Sequence, residues 1–340
     1  MTTGTEDRTT GSRMPEITTA LSAASLAALA CFAMLAGLRR VLPAGFLAAG
    51  HSERSNHAGA PRQIGGLAAV PAALFAVAVI QGADAWIVLP FLALWLAGLA
   101  DDHRPLGVAL RLGVQVAAAA ALVALVRPAL PLPDIVPPLA GEAAAVLFLV
   151  WTINMVNFMD GLDLMTAAGA GIPLAFCGCL LLVAGGPDDA AVAALAGAGA
   201  LAGFALHNRP PAKVFLGDSG SLPLGLLAGW ALLALAEQAP AAALAPFGYY
   251  FADSVWTLLQ RLAGGKNILK SHSEHAYQRA FRAGMPVTAI VGRVALCALA
   301  CGLSGYAATA TGGLAAAVIG LAGLGAGVAL AAHLRKRANS

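Results

Sequence analysis

An all-α bundle of about eleven membrane-spanning helices is the architecture expected of this 340-residue chain. Three features point to it. Hydrophobic residues make up 59% of the sequence and charged residues 11%, against about 25% charged in soluble globular chains. Apolar runs close to the ~20 residues that cross a hydrocarbon core recur from end to end. Lys and Arg collect in alternate breaks between those runs, as they do in cytoplasmic loops. With a mean hydropathy of +0.78, the composition excludes an ordinary cytosolic enzyme, a disordered chain and a nucleic-acid binder.

Residues 1–17 read as a polar, Thr-rich tail with Glu6, Asp7 and Glu16 beside Arg8 and Arg13. That is a poor n-region for a signal peptide, so the first apolar run is expected to be a retained helix. The charged and turn-rich breaks place spans at 18–38, 64–80, 85–100, 106–126, 142–158, 166–185, 190–206, 220–237, 239–259, 287–308 and 312–333. Residues 18–334 would form one transmembrane catalytic domain, and 335–340 a basic cytoplasmic tail. With the N-terminus outside, the outer loops hold only Arg8, Arg13 and Arg127, and the other seventeen of twenty Lys and Arg lie inside. That asymmetry predicts an outer N-terminus and a cytoplasmic C-terminus. All seven histidines fall on the same inner side: His51, His57, His103, His207, His272, His275 and His333. The five cysteines sit in apolar runs and show no disulfide or zinc spacing. Three Gly-x-x-x-Gly pairs, Gly199/Gly203, Gly225/Gly229 and Gly323/Gly327, predict close helix packing.

Four inner segments carry polar residues that a membrane scaffold does not need. After the third span comes Gly98-x-x-Asp101-Asp102. Adjacent carboxylates repel, and such a pair suits a cation or a raised pKa. At the inner end of the fifth span is Asn154-x-x-Asn157-x-x-Asp160-Gly161-x-Asp163. Two carboxamides and two carboxylates at a bilayer boundary are costly unless they bind something. Before the eighth span is Lys213-Val-Phe215-Leu-Gly217-Asp218-Ser-Gly220-Ser221. Its glycines allow close backbone approach, and the helix start behind it favours anions. Asp218 would repel a bare phosphate, so an intervening cation is implied. Mg²⁺ fits, because it is held by one or two carboxylates plus substrate phosphates. The long inner loop 260–286 holds His272 and His275 among Lys266, Lys270, Arg279 and Arg282, a set suited to phosphate recognition. A further polar cluster in the first inner loop runs from Glu53, Arg54, Ser55, Asn56 and His57 to Arg62. Asp253, inside the ninth span, reads equally as a functional carboxylate or as a partner of Arg261. Together these residues suit Mg²⁺-dependent phosphoryl transfer at a membrane face, between a water-soluble diphosphate and a lipid.

In combination and in this order, the four motifs resemble the polyprenyl-phosphate N-acetylhexosamine-1-phosphate transferases, glycosyltransferase family 4. This family includes the phospho-MurNAc-pentapeptide translocase and the initiators of O-antigen and teichoic acid synthesis. The resemblance implies ten or eleven transmembrane helices around a cytoplasmic active site, in the inner membrane of a bacterium. It implies transfer of a sugar-1-phosphate from a UDP-N-acetylhexosamine to undecaprenyl phosphate, with release of UMP. By the same resemblance Asp218 would bind Mg²⁺, or Mn²⁺ in its place. Asp101 and Asp102 would orient or deprotonate the lipid phosphate, or assist the metal. Asn154, Asn157, Asp160, Asp163 and Lys213 would line the nucleotide site, His272 and His275 would grip the diphosphate or sugar, and Arg62 would approach the sugar nucleotide. Direct attack by the lipid phosphate is expected, with a covalent aspartyl intermediate as the alternative. The sequence leaves the oligomeric state open, with a homodimer as one possibility.

The sequence also departs from the family pattern. Leu164-Met165 follow Asp163 where Gly-Leu is common, and the Arg62-to-Gly65 spacing is one residue longer than in many relatives. The His loop reads His-Ser-Glu-His-Ala-Tyr-Gln-Arg, nearer the branch that starts O-antigen or exopolysaccharide chains from N-acetylated, often deoxy, hexosamines. Lipid I-type peptidoglycan synthesis is the alternative on the same chemistry. A transporter is the rival from another class, but transporters place polar residues near the midplane, whereas these acids gather at one face.

Overall fold

The computed structural model describes residues 8–43, 45–48, 61–82, 84–129, 133, 135–267 and 272–339. Helices account for the ordered structure: α1 (Arg8–Val41), α2 (Gly65–Ile80), α3 (Ala85–His103), α4 (Val108–Val126) and α5 (Pro138–Met159). A π-helical turn (Ala167–Gly171) leads into α6 (Ile172–Ala184). Then come α7 (Asp188–Ala205), α8 (Asp218–Gln238), α9 (Pro240–Ala243), α10 (Gly248–Ala263), α11 (Ala276–Arg282), α12 (Val287–Thr309) and α13 (Gly313–Asn339). Among the described residues, nine helical segments are long and apolar enough to cross a membrane, and the sixteen-residue α2 is a shorter apolar helix. The protein is an all-α, polytopic membrane protein.

Local chemistry explains the ends. Prolines open α5, α6 and α9, where a missing N–H costs nothing. The Asp84 carboxylate accepts from the Trp86 amide at 2.9 Å and caps α3. Gly185, at φ +72°, ends α6 in the left-handed region.

The central helix is α8. Its best 18-residue window is 94% buried, against 22% for α3, so α8 is surrounded while α3 presents a face to lipid. Helices α2, α3, α5, α6 and α7 all pack on α8. The three glycine pairs do what their spacing predicts. Added methyls at Gly199 and Gly203 would strike the α1 backbone at Ala24 and Ala28. Those at Gly225 and Gly229 would strike α5 at Ile153 and Thr152, and those at Gly323 and Gly327 would strike Ala245 and Gly248. Close backbone approach replaces the hydrophobic driving force that is absent between helices in lipid.

Three elements differ from expectation. Helix α1 starts at Arg8 rather than near residue 18. The run 239–259 is not one span: α9 ends at Ala243 and α10 starts at Gly248, with Pro246 in the break. Arg335 is not part of a solvated tail, since α13 continues to Asn339 and Arg335 is buried. The Glu53, Arg54, Ser55, Asn56 and His57 cluster, His51 and Lys270 lie outside the described residues.

Candidate active site

The last turns of α3 and α5 and the first turn of α8 meet at one end of the bundle, and the acidic motifs meet with them. Gly98 makes this possible, because an added methyl there would sit 2.5 Å from the Ser219 amide nitrogen. The chain enters α8 through a segment held by α2. The Phe215 amide donates to the Arg62 carbonyl at 2.9 Å, and the amides of Gly65 and Gly66 donate to Phe215 and Leu216 at 2.9 and 2.8 Å. The glycine-rich stretch is thus pinned before its helix begins.

Asp102 caps α8 from the neighbouring helix. One of its oxygens accepts from the Asp218 amide at 2.7 Å and the other from the Ser219 amide at 3.0 Å. Gly217, the N-cap residue, has no side chain to perform that task. It sits at φ +75°, ψ 174°, a region essentially reserved for glycine. A methyl there would lie 2.6 Å from an Asp102 oxygen. The negative charge of Asp102 meets the positive end of the α8 dipole. The structure therefore gives Asp102 the geometry of a residue that aims Asp218.

Asp218 is held from α5 and faced by α4. Its Oδ1 accepts from the Asn157 carboxamide at 2.8 Å, and the same Nδ2 donates to Ser221 at 2.9 Å. Its Oδ2 lies 3.7 Å from the Arg111 guanidinium. Asp101 stands 4.0 Å from the same guanidinium and accepts from the Leu106 amide at 2.8 Å. Asp160 ends α5 and accepts from the Thr166 hydroxyl. Burial, reinforced by the charge on Asp102 and opposed by the Thr166 hydrogen bond, pushes Asp160 up to about 6.

Asp101 and Asp218 thus share the Arg111 guanidinium, and the charge of Asp102 acts on both Asp160 and Asp218. No group of three His, Cys, Asp or Glu side chains among the described residues forms a metal cage. A site that takes one or two carboxylates and completes its shell from a substrate needs no such cage. Asp218 and Asp101 fit that donor set for a hard divalent cation.

Asp160 also sets a pH dependence. Its raised pKa favours the folded state while the carboxyl is protonated, an advantage fully present near pH 4 and lost as the pH climbs through about 6. Asp160→Asn keeps an acceptor for Thr166 and removes the charge. Without divalent cations, its apparent melting temperature in detergent is expected to exceed wild type at pH 8, by the equivalent of up to about 3 kcal/mol. Near pH 4 the two proteins should melt together.

Other sequence-selected residues have different partners. Asn154 exchanges hydrogen bonds with Gln115 of α4, donating at 2.7 Å, which commits its carboxamide to helix packing. Asp163 accepts from the Ala212 amide at 2.9 Å and fixes the loop before the glycine-rich stretch. The Arg62 guanidinium donates to the carbonyls of Arg39, Leu42 and Pro43 and closes the end of α1. Lys213 is exposed. Leu164 stands at φ +62°, a left-handed geometry at the position where the sequence lacks the usual glycine. Its amide donates to the Asn208 carboxamide at 2.6 Å, which helps hold that geometry.

The His loop docks on the Asp160 turn. The Tyr277 hydroxyl donates to the Phe158 carbonyl at 2.9 Å. The His272 and His275 rings stack at 5.0 Å and both lie near Phe158. His275 is buried, and neither of its ring nitrogens has a hydrogen-bond partner; nor does Nε2 of His272. Burial, with His275 nearby, lowers His272 to about 4, so it is neutral at physiological pH and offers one N–H rather than a charge. Asp253 pairs with Arg335 at 3.2 Å, not with Arg261, which binds Glu274 at 3.1 Å. Sequence reasoning missed Arg111, whose place in the first turn of α4, the helix after the Asp pair, was the available signal, and it missed Tyr277, whose partner is distant in sequence.

Known proteins share the sequence of this region. The sequence model of glycosyl transferase family 4 matches residues 85–236, the stretch that holds the first three motifs. The chain is 34% identical over 209 residues to a phospho-N-acetylmuramoyl-pentapeptide-transferase of Moorella thermoacetica, covering 54% of this chain and 64% of that one. It is 34% identical over 207 residues to a Streptomyces coelicolor chain whose name says no more than glycosyltransferase, covering 53% and 48%. A third relative, the phospho-N-acetylmuramoyl-pentapeptide-transferase of Symbiobacterium thermophilum, is 43% identical over 94 residues, 27% of this chain and 28% of that one. The matched stretch spans less than two thirds of each of these relatives. Over residues 85–236, this chain is similar to glycosyl transferase family 4.

Proposed function

We propose that the protein transfers a sugar-1-phosphate from a UDP-N-acetylhexosamine to undecaprenyl phosphate and releases UMP. The observation that carries the reading is the convergence of Asp101, Asp102, Asp160 and Asp218 with Asn157 and Arg111 at one end of a lipid-embedded bundle. Phosphoryl transfer is mainly positioning and charge neutralisation, and these residues supply both. Asp218 and Asp101 would hold Mg²⁺, which when bound neutralises the diphosphate. Arg111 offers a guanidinium to a phosphate oxygen. Asp102 holds the first turn of α8 so that Asp218 keeps its aim. Asn157 fixes one Asp218 oxygen and leaves the other for the site. Nε2 of His272 and Nε2 of His275, neither hydrogen-bonded, lie beside the Asp160 turn for the sugar or diphosphate, while Nδ1 of His275 faces Asp253. The lipid phosphate attacks the β-phosphorus, the bond to the UMP oxygen breaks, and UMP leaves with the electron pair.

A second observation favours a lipid acceptor. An apolar groove of ≈ 1000 Å³ lies between α5, α8, α10 and α13, lined among others by Phe148, Trp151, Phe251, Val255 and Leu259. Phe148 and Trp151 lie on α5, the helix that also carries Asn157 and is capped by Asp160. The break between α9 and α10 forms part of the groove wall. Val255 is 40% exposed, so Val255→Trp would fill the groove without disturbing the core. That variant is expected to raise the KM for undecaprenyl phosphate about tenfold, the equivalent of about 1.4 kcal/mol, and to leave the donor KM unchanged.

The reading includes an inner-membrane location, an outer N-terminus, a cytoplasmic site and a role in starting an O-antigen or exopolysaccharide chain. Lipid I-type synthesis is the second reading, favoured by the names of the Moorella and Symbiobacterium relatives. Mass analysis of the lipid product from undecaprenyl phosphate and a panel of UDP-N-acetylhexosamines tests both. A polyprenyl-diphospho-N-acetylhexosamine from a simple hexosamine donor supports the first reading. Product only from UDP-MurNAc-pentapeptide supports the second, and no lipid product with any donor would contradict both.

A further inference from the structure

Asp253 is fully buried and gathers donors from three helices. The Tyr249 hydroxyl donates to it at 3.0 Å and the Thr257 hydroxyl at 3.1 Å, both from its own α10. The Ala276 amide, the first of α11, donates at 2.8 and 3.0 Å to its two oxygens. Arg335 of α13 donates at 3.2 Å. Nδ1 of His275 stands 3.7 Å away.

Arg335 is itself held through both of its terminal nitrogens, while its Nε has no hydrogen-bond partner. Its other guanidinium nitrogen donates to Gln260 at 2.7 Å, the first also donates to Thr257 at 2.5 Å, and the group lies 5.3 Å over the Trp256 ring. A buried charge survives only when paired and hydrogen-bonded in this way. The consequence runs toward the site. Asp253 fixes the start of α11, and α11 carries Tyr277, whose hydroxyl holds the Phe158 carbonyl. An added methyl at Gly161 would meet that same hydroxyl. The chain of contacts therefore leads from the C-terminal helix through Asp253 to the His loop and the Asp160 turn.

We propose that Arg335 and Asp253 are positioning residues, a clamp by which the last helix holds the His275 loop against the Asp160 turn. The clamp rests on the proposed function only in assigning that loop to the donor site. Neither residue touches substrate; both act through α11.

The test compares wild type with Arg335→Gln and with Arg335→Lys, in the full-length protein in detergent. Hydrogen exchange is read over 276–282 and, as reference, over 218–238. Arg335→Gln should speed exchange in 276–282 about tenfold or more and leave the α8 amides unchanged. It should also raise the KM for whichever UDP-N-acetylhexosamine wild type turns over by about tenfold, with kcat and the lipid KM changing less. Arg335→Lys should recover part of both effects. Unchanged exchange in 276–282, or faster exchange everywhere, would overturn the clamp. So would local loosening with an unaltered donor KM in an active enzyme. If wild type is inactive with every donor yet Arg335→Gln loosens only the loop, the clamp stands and the proposed reaction fails.

Discussion

Asp218→Asn should lower turnover by at least about 10²–10³-fold, the range seen when one group that stabilises transition-state charge is removed. The fold should persist, because Asn still offers an oxygen to the Asn157 carboxamide, which donates to Asp218 at 2.8 Å in wild type. The backbone amide that Asp102 accepts from is also unchanged by the substitution. What disappears is the charge that faces Arg111 and the proposed cation. Turnover should therefore fall while the detergent melting temperature stays within a few degrees of wild type. Raising Mg²⁺ should recover little. Wild-type-like turnover in Asp218→Asn would remove this carboxylate from the mechanism.

Gly217→Ala is the second large effect, and it acts through geometry rather than charge. At φ +75°, ψ 174° an L side chain is strained, a cost of roughly 1–3 kcal/mol. The new methyl would lie 2.6 Å from an Asp102 oxygen and push that carboxylate off the two amides it accepts from. Unpairing them costs about a further 1–3 kcal/mol. Activity should fall as severely as in Asp218→Asn, now with a clear loss of stability. Gly107→Ala is the control, since a methyl there meets nothing within 4 Å and no positive φ is required. If Gly217→Ala melts and turns over like Gly107→Ala, the cross-helix cap is not what aims Asp218.

The helices were legible because each membrane span must satisfy its backbone within itself and cover its surface with apolar side chains. The runs show that locally, and eight of the expected spans match single long helices closely at both ends or at one. The ninth run failed because hydropathy does not register a break; Pro240 and Pro246 did, and both sit where the helix is interrupted. The start of α1 was hidden for the opposite reason, since a Thr-rich polar segment carries no apolar signal for helix.

At the site, the acids were legible as residue types but not as roles. Asp101, Asp102, Asp160 and Asp218 converge, yet that Asp102 caps α8 depends on two helices 116 positions apart. Asn154 looked like a ligand because its partner, Gln115, lies 39 residues away. Asp253 stayed open between a functional carboxylate and a partner of the nearby Arg261, and its actual partner is 82 residues on. Arg111 was read as one more inner-side cation, because charge counting does not show which lysine or arginine reaches the carboxylates. Leu164 is the instructive exception: a missing glycine in the motif marked the backbone, and the residue there does stand at φ +62°.

The most direct test of the account is the identity of the nucleotide released. Purified protein with Mg²⁺, undecaprenyl phosphate and the UDP-N-acetylhexosamine panel should release UMP, because attack at the β-phosphorus leaves the sugar phosphate on the lipid. Release should require the lipid and vanish in Asp218→Asn. Lipid-dependent release of UDP in place of UMP would mean attack at the sugar carbon, and would contradict phosphoryl transfer at this site.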